Sequence, residues 1–133
     1  MIIQVFPDKQ KAKSMFELAN KRMQFTQETD FSRFPTGKME GYYEVIKEIA
    51  SAIILCEGFK ATGENAHKDL FDFLFSKNII NPRELSFLQD LRDRRNKSYY
   101  EGQQTNQSYI LNNEQTLLII ISNLNKMIKE KLK

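Results

Sequence analysis

The sequence predicts an all-α fold, an antiparallel up-and-down bundle of about five helices, and three observations predict it. Only five Gly and three Pro punctuate the 133 residues. The segments between them carry apolar residues at helical spacing. The connections left over are short, which favours antiparallel neighbours in a bundle.

The first helix follows Pro7 and the capping candidate Asp8 and runs to about Thr29, with Ala12, Met15, Phe16, Ala19 and Met23 on one stripe. A loop is expected around Phe34-Pro35-Thr36-Gly37. The second helix, about Lys38 to Gly58, presents Met39, Tyr42, Tyr43, Ile46, Ile49, Ala50 and Ile53, with Leu55 or Cys56 beyond. Its apolar face widens toward the end, the mark of a central helix. A shorter third helix, about Ala66 to Ser76, carries Leu70, Phe71, Leu74 and Phe75 after the turn-prone Thr62-Gly63-Glu64-Asn65. The fourth has the clearest start: Asn81 as N-cap, Pro82 at the first helical position and Glu84 three residues after the cap. Gly102 ends it, and a polar loop from Gln103 to Gln107 follows. The fifth, about Asn112 to Lys131, uses Leu117, Ile120, Ile121, Leu124, Ile128 and Leu132 as its seam.

The length fits a single domain spanning residues 1–133, large enough to bury roughly two thirds of its unfolded surface without metal or disulfide. Cys56 has no partner, lies beside Ile53-Ile54-Leu55 and reads as a small buried hydrophobe, a usage that suits a reducing compartment. No apolar stretch approaches the roughly 18 residues of a membrane span, and Met1 to Phe6 is too short for a signal-peptide core, so a cytoplasmic protein with no membrane partner is expected. The net charge of +3 permits a nucleic-acid partner without arguing for one. No cofactor or metal is expected: the chain has no Cys or His cluster, glycine-rich phosphate loop or nucleophile elbow. The basic tail of Lys126, Lys129, Lys131 and Lys133 reads as a solvated helix end that complements the macrodipole.

One stretch of the fourth helix departs from an ordinary core pattern. At 100° per residue Leu85, Leu88, Arg92, Arg95, Asn96 and Tyr99 fall within a sector about 100° wide, so the inward stripe turns from leucine to polar residues partway along. Asp93, Arg94 and Lys97 lie off it and read as solvated charges. Desolvating an unpaired guanidinium costs several kcal/mol. Arg92 and Arg95 therefore either pair with Asp90 or a carboxylate of another helix or snorkel to water, or they meet a partner subunit or an anionic ligand. His67, the only histidine, stands near a helix start, where surface or capping roles are the common ones. Tyr42 and Tyr43 read as core and rim residues rather than a base-stacking platform.

The run Arg95-Asn96-Lys97-Ser98-Tyr99-Tyr100 resembles the signature of HEPN domains, an arginine and a polar residue followed by a histidine four to six positions after the arginine. Tyr100 stands at the histidine's place. The resemblance extends upstream through Gly58-Phe59-Lys60, His67 and Leu70, Phe71 and Leu74, covering roughly Tyr42 to Gly102. It implies a four-helix antiparallel core and a homodimer whose two motifs meet in a cleft. Several such domains are metal-independent endoribonucleases. That likeness would make Arg95 a ligand of the scissile phosphate, Asn96 an orienting hydrogen-bond partner and Tyr100 the acid or base, with Arg92, Tyr99 and His67 as neighbouring ligand-binding candidates. Histidine titrates near pH 6.5 and tyrosine near 10, so the exchange removes a proton carrier matched to neutral pH.

Two functions are expected from this reading. The first is a HEPN-like homodimer binding RNA or a nucleotide around Arg95, Asn96 and Tyr100, with ribonuclease activity weakened by the exchange. The second is a non-catalytic protein-interaction module, such as the toxin-antitoxin-type partner of a nucleotidyltransferase. A carboxylate packed on Arg95 favours the second, and an open basic cleft the first.

Overall fold

The computed structural model describes residues 1–133, in the order β1 (Ile2–Gln4), α1 (Lys9–Glu28), α2 (Pro35–Cys56), β2 (Phe59–Ala61), α3 (Ala66–Ser76), α4 (Pro82–Glu101) and α5 (Gln107–Lys131). It is an all-α bundle of five helices with one small two-stranded sheet. The helix with the widest apolar face is its axis. Met39, Tyr42, Tyr43, Val45, Ile46, Ile49, Ala50, Ala52 and Ile53 of α2 are buried, and all four other helices join the same core. α1 and α5 pack on α2, while α3 and α4 pack on each other and on α2.

The helix ends follow local chemistry. Asp8 accepts from Lys11 N at 2.9 Å and caps α1. Asn81 and Glu84 form a reciprocal capping box at the start of α4, with bonds of 2.7 and 3.0 Å, and Pro82 follows where its missing N–H is harmless. α4 stops at Gly102, whose φ of 69° is left-handed; the amides of Gly102 and Gln103 then return to the Ser98 and Lys97 carbonyls.

Three boundaries differ from the sequence reading. Pro35, Thr36 and Gly37 form the first turn of α2 rather than a loop, because proline at the first helical position is pre-set for it. α5 begins at Gln107, five residues before Asn112, because Asn106 caps it by accepting from Tyr109 N at 3.1 Å. α2 ends at Cys56 and frees Phe59–Ala61 to pair antiparallel with Ile2–Gln4, Ile3 facing Lys60. Three-residue strands show no alternation long enough to read. Gly58 makes the entry: at φ 86° any Cβ would meet the Val5 carbonyl oxygen. Phe75, expected on the α3 stripe, is partly exposed, whereas Leu70, Phe71 and Leu74 are buried.

One buried cation ties the hub to its neighbours. Lys38 Nζ donates to the Gln27 and Thr29 carbonyls at 3.1 and 3.0 Å, serving the open C-terminal turn of α1. It also lies 3.5 Å from Glu114 of α5, which accepts from Tyr42 Oη at 2.5 Å. Burial and that carboxylate push the Tyr42 phenol well above its ordinary range, so it acts as a fixed donor.

Candidate functional site

Arg95 points inward, as its place on the stripe requires, and its side chain is only 12% exposed. The guanidinium lies over two rings, 3.8 Å from the centroid of Tyr99 on its own helix and 5.4 Å from that of Tyr43 on α2. Its hydrogen bonds are few. Nη1 donates to Asn96 Oδ1 at 3.3 Å, Nη2 lies 3.6 Å from Glu44 Oε1, beyond hydrogen-bond range, and Nε is buried with no partner. A group with five donors thus makes one long bond within the chain.

The surroundings are mostly basic. Glu44 gives its other oxygen to Lys47 at 2.6 Å, so one carboxylate is shared by two cations. Arg92, a turn earlier on α4, donates from Nε to Gln89 Oε1 at 3.0 Å, and Gln89 in turn donates to Asp72 Oδ1 on α3 at 3.0 Å. His67 enters from the first turn of α3, and its Nδ1 is 2.9 Å from the Tyr43 hydroxyl, with the two rings tilted against each other. Burial lowers the imidazole's affinity for a proton, and Lys47, Arg95 and Arg92 lower it further, partly offset by Glu44. Burial likewise drives the Tyr43 phenol far upward although Arg95 and Arg92 oppose it. A neutral Tyr43 hydroxyl that donates to His67 Nδ1 places the imidazole proton on Nε2.

Of the residues singled out from the sequence, the structure brings Arg92, Arg95, Asn96, Tyr99 and His67 together and leaves Tyr100 apart. Tyr100 is 79% exposed and forms no hydrogen bond or cation–ring contact within the chain. Comparison with protein-family models, with curated proteins and with solved structures finds no match. The site is thus defined by its own geometry.

Two expectations for this region change. His67 is neither a free surface residue nor a cap: Asn65 holds the N-cap position of α3, and the imidazole turns inward to Tyr43. Arg94, read as solvated, instead lies 4.0 Å from the centroid of the Tyr109 ring at the start of α5. There it helps line a polar cleft of about 310 Å³ with Asp90, Asp93, Lys97 and Asn113.

The sequence reading missed the contribution of α2. Tyr43 reads from the sequence as a core or rim residue, and the apolar periodicity singles out none of Glu40, Glu44 and Lys47. Glu40 holds the Ser98 hydroxyl at 2.8 Å, fixing the signature run to α2, and Glu48 reaches Arg22 of α1 at 2.6 Å. The available signal was Glu40, Glu44 and Glu48 at successive spacings of four on a helix rich in apolar residues, which puts three carboxylates in one row.

Proposed function

We propose that this chain is a HEPN-like domain that binds RNA or a nucleotide through phosphate at the face around Arg95, acts as a homodimer, and has little ribonuclease activity. One observation carries the reading: an inward-facing guanidinium, set over two rings, has most of its donors uncommitted within the chain. Arg95 has an ion-pair partner in Glu44, but structural arginines at such burial ordinarily spend more of their donors in hydrogen bonds. The rings hold the planar fork before a ligand arrives, which reduces the ordering cost of binding an oxyanion.

The reserve about cleavage follows from Tyr100. Within one chain no group matched to neutral pH stands at the motif's last position, and Tyr100 does not touch Arg95. Any two-residue chemistry has to be completed by a second copy.

Glu44 gives the second reading its support. A carboxylate facing Arg95 is what a non-catalytic interaction module would show, with the polar stripe specifying a dimer or docking a nucleotidyltransferase. Against that, Glu44 sits closer to Lys47 than to Arg95, and Lys47, Arg92 and Arg95 outnumber it.

Arg95→Ala separates the two. It is expected to weaken binding of a short single-stranded RNA at fixed salt while circular dichroism and melting show an intact fold. Unchanged affinity removes the ligand role. Light scattering on the same samples gives the oligomeric state, and a strict monomer excludes a two-subunit cleft.

A further inference from the structure

The chain's one histidine, on a different helix from Arg95, is joined to Tyr43, whose ring also lies under Arg95, and three cations act on its charge. Lys47 comes from α2 and Arg92 and Arg95 from α4, with Glu44 as the one carboxylate acting on the imidazole. β2, also packed on α3, carries Lys60, and the N-terminal ammonium ahead of β1 is paired with Asp69 of α3. Gathering like charges around an imidazole is unfavourable for the empty protein, and an anion seated among them removes the conflict. His67 has one nitrogen committed, Nδ1 to Tyr43, and Nε2 uncommitted within the chain. With Nδ1 accepting, Nε2 carries the proton and is a ready donor to an oxyanion.

We propose that Lys47, His67, Arg92 and Arg95 form one oxyanion pocket, and that a phosphate group enters it together with a proton taken from solvent onto the His67 imidazole. The proposal rests on the phosphate reading of Arg95 and adds to it a proton-responsive ligand that lies outside the Arg95–Tyr100 run. Once protonated, His67 donates from both nitrogens, Nε2 to the phosphate and Nδ1 to the Tyr43 hydroxyl oxygen, so Tyr43 turns from donor to acceptor. Glu44 stays the counter-charge of Lys47. Nothing else in the cluster needs to ionise. Binding therefore strengthens as pH falls, at most tenfold per pH unit for one proton taken up.

Because His67 is the only histidine, its imidazole carbon-bound protons give a single resolved NMR titration. The curve is recorded from about pH 5 to about pH 8 on the free protein, with saturating adenosine 5'-monophosphate, and with a short RNA lacking terminal phosphates. Either probe is expected to move the midpoint to higher pH, and Arg95→Ala to abolish the move. A shift with the mononucleotide alone identifies a terminal phosphate as the ligand; a shift with the RNA identifies an internal diester. The diester does not titrate in this range, so the pH dependence of RNA affinity reads the protein alone. It is expected to rise toward low pH in the parent and to flatten in His67→Gln. Binding that needs Arg95 while the His67 midpoint stays fixed overturns the proton-linked pocket and leaves the Arg95 reading standing. No Arg95-dependent binding of either probe overturns both.

Discussion

The hydroxyl of Tyr43 and Nδ1 of His67 meet at 2.9 Å, joining the central helix to the first turn of α3 under the guanidinium of Arg95. This contact fixes the imidazole against the central helix. Burial, then the three cations, set its proton affinity below that of an exposed histidine. The unfolded chain consequently binds the proton more readily than the native one, and stability rises with pH across the window between the two midpoints. The contribution is complete above about pH 6.5, the unfolded value, and is lost as pH falls through the depressed native value. Denaturant melts of His67→Gln in a phosphate-free buffer are expected to show a shallower loss below about pH 6.5 than the parent. Parallel curves would mean that the imidazole titrates alike in both states.

Gly41 fixes how closely α1 and α2 approach. A Cβ there would lie 2.9 Å from Cγ2 of the buried Thr26 and nearer still to its Oγ1. Neither helix can yield without moving the row that carries Glu40 and Glu44. Gly41→Ala is expected to destabilise by about 1 to 3 kcal/mol, the range for overpacking, despite alanine's better helix propensity. Adding Thr26→Ala should recover much of the loss, and the double-mutant cycle measures that coupling. Additive effects would place the strain elsewhere.

How far the sequence disclosed this arrangement varies with the range of the interaction concerned. The capping box of Asn81 and Glu84, the stop at Gly102 and the seam of α5 are set by residues within a turn of one another, so their spacing alone reveals them. The inward turn of Arg95 was legible for the same reason, as an angle along one helix. What faces it was not. Glu44 and Tyr43 meet Arg95, and His67 meets Tyr43, only after α2, α3 and α4 have packed, and helical periodicity gives the face of a residue but not the neighbour across the interface. The strands went unread because each is three residues long and is held by a partner more than fifty residues away. Arg94 misled because its angle on α4 points off the stripe, toward water on an isolated helix, yet α5 lays Tyr109 beneath it.

Tyr100→His tests whether the remainder of the signature run is competent. The exchange restores a side chain that titrates near pH 6.5 at a position exposed enough to accept it. General acid–base catalysis contributes about 10² to 10⁴-fold where it operates, and a gain in cleavage of single-stranded RNA up to that range is expected. Because Tyr100 does not meet Arg95 within one chain, the gain should follow the dimer and vanish on dilution to monomer. A preserved dimer with no gain means that more than one element of the machinery is missing.

Lys38 offers a test of the frame that carries the site. Its ammonium is almost fully buried, serves two carbonyls at the end of α1 and faces Glu114 on α5 at 3.5 Å. Methionine has a similar reach and fills the same volume, so Lys38→Met removes the donors without opening a cavity. Two hydrogen bonds to a charged group are worth about 1.5 to 3 kcal/mol each, and the desolvation of the ammonium offsets part of that. The expected net loss is about 2 to 3 kcal/mol of unfolding free energy, read from denaturant melts. The damage should be directional. With its last carbonyls unserved, α1 frays from the end nearest Thr29, so amide exchange should quicken for the residues bonded there, while amides in the first turns of α4 keep their protection. Glu114 is left facing only Tyr42, and adding Glu114→Gln to Lys38→Met should then restore part of the lost stability, because it removes a carboxylate that has lost its cation. If the second change costs as much as it does in the parent, the ammonium and the carboxylate are not coupled, and Lys38 acts on α1 alone.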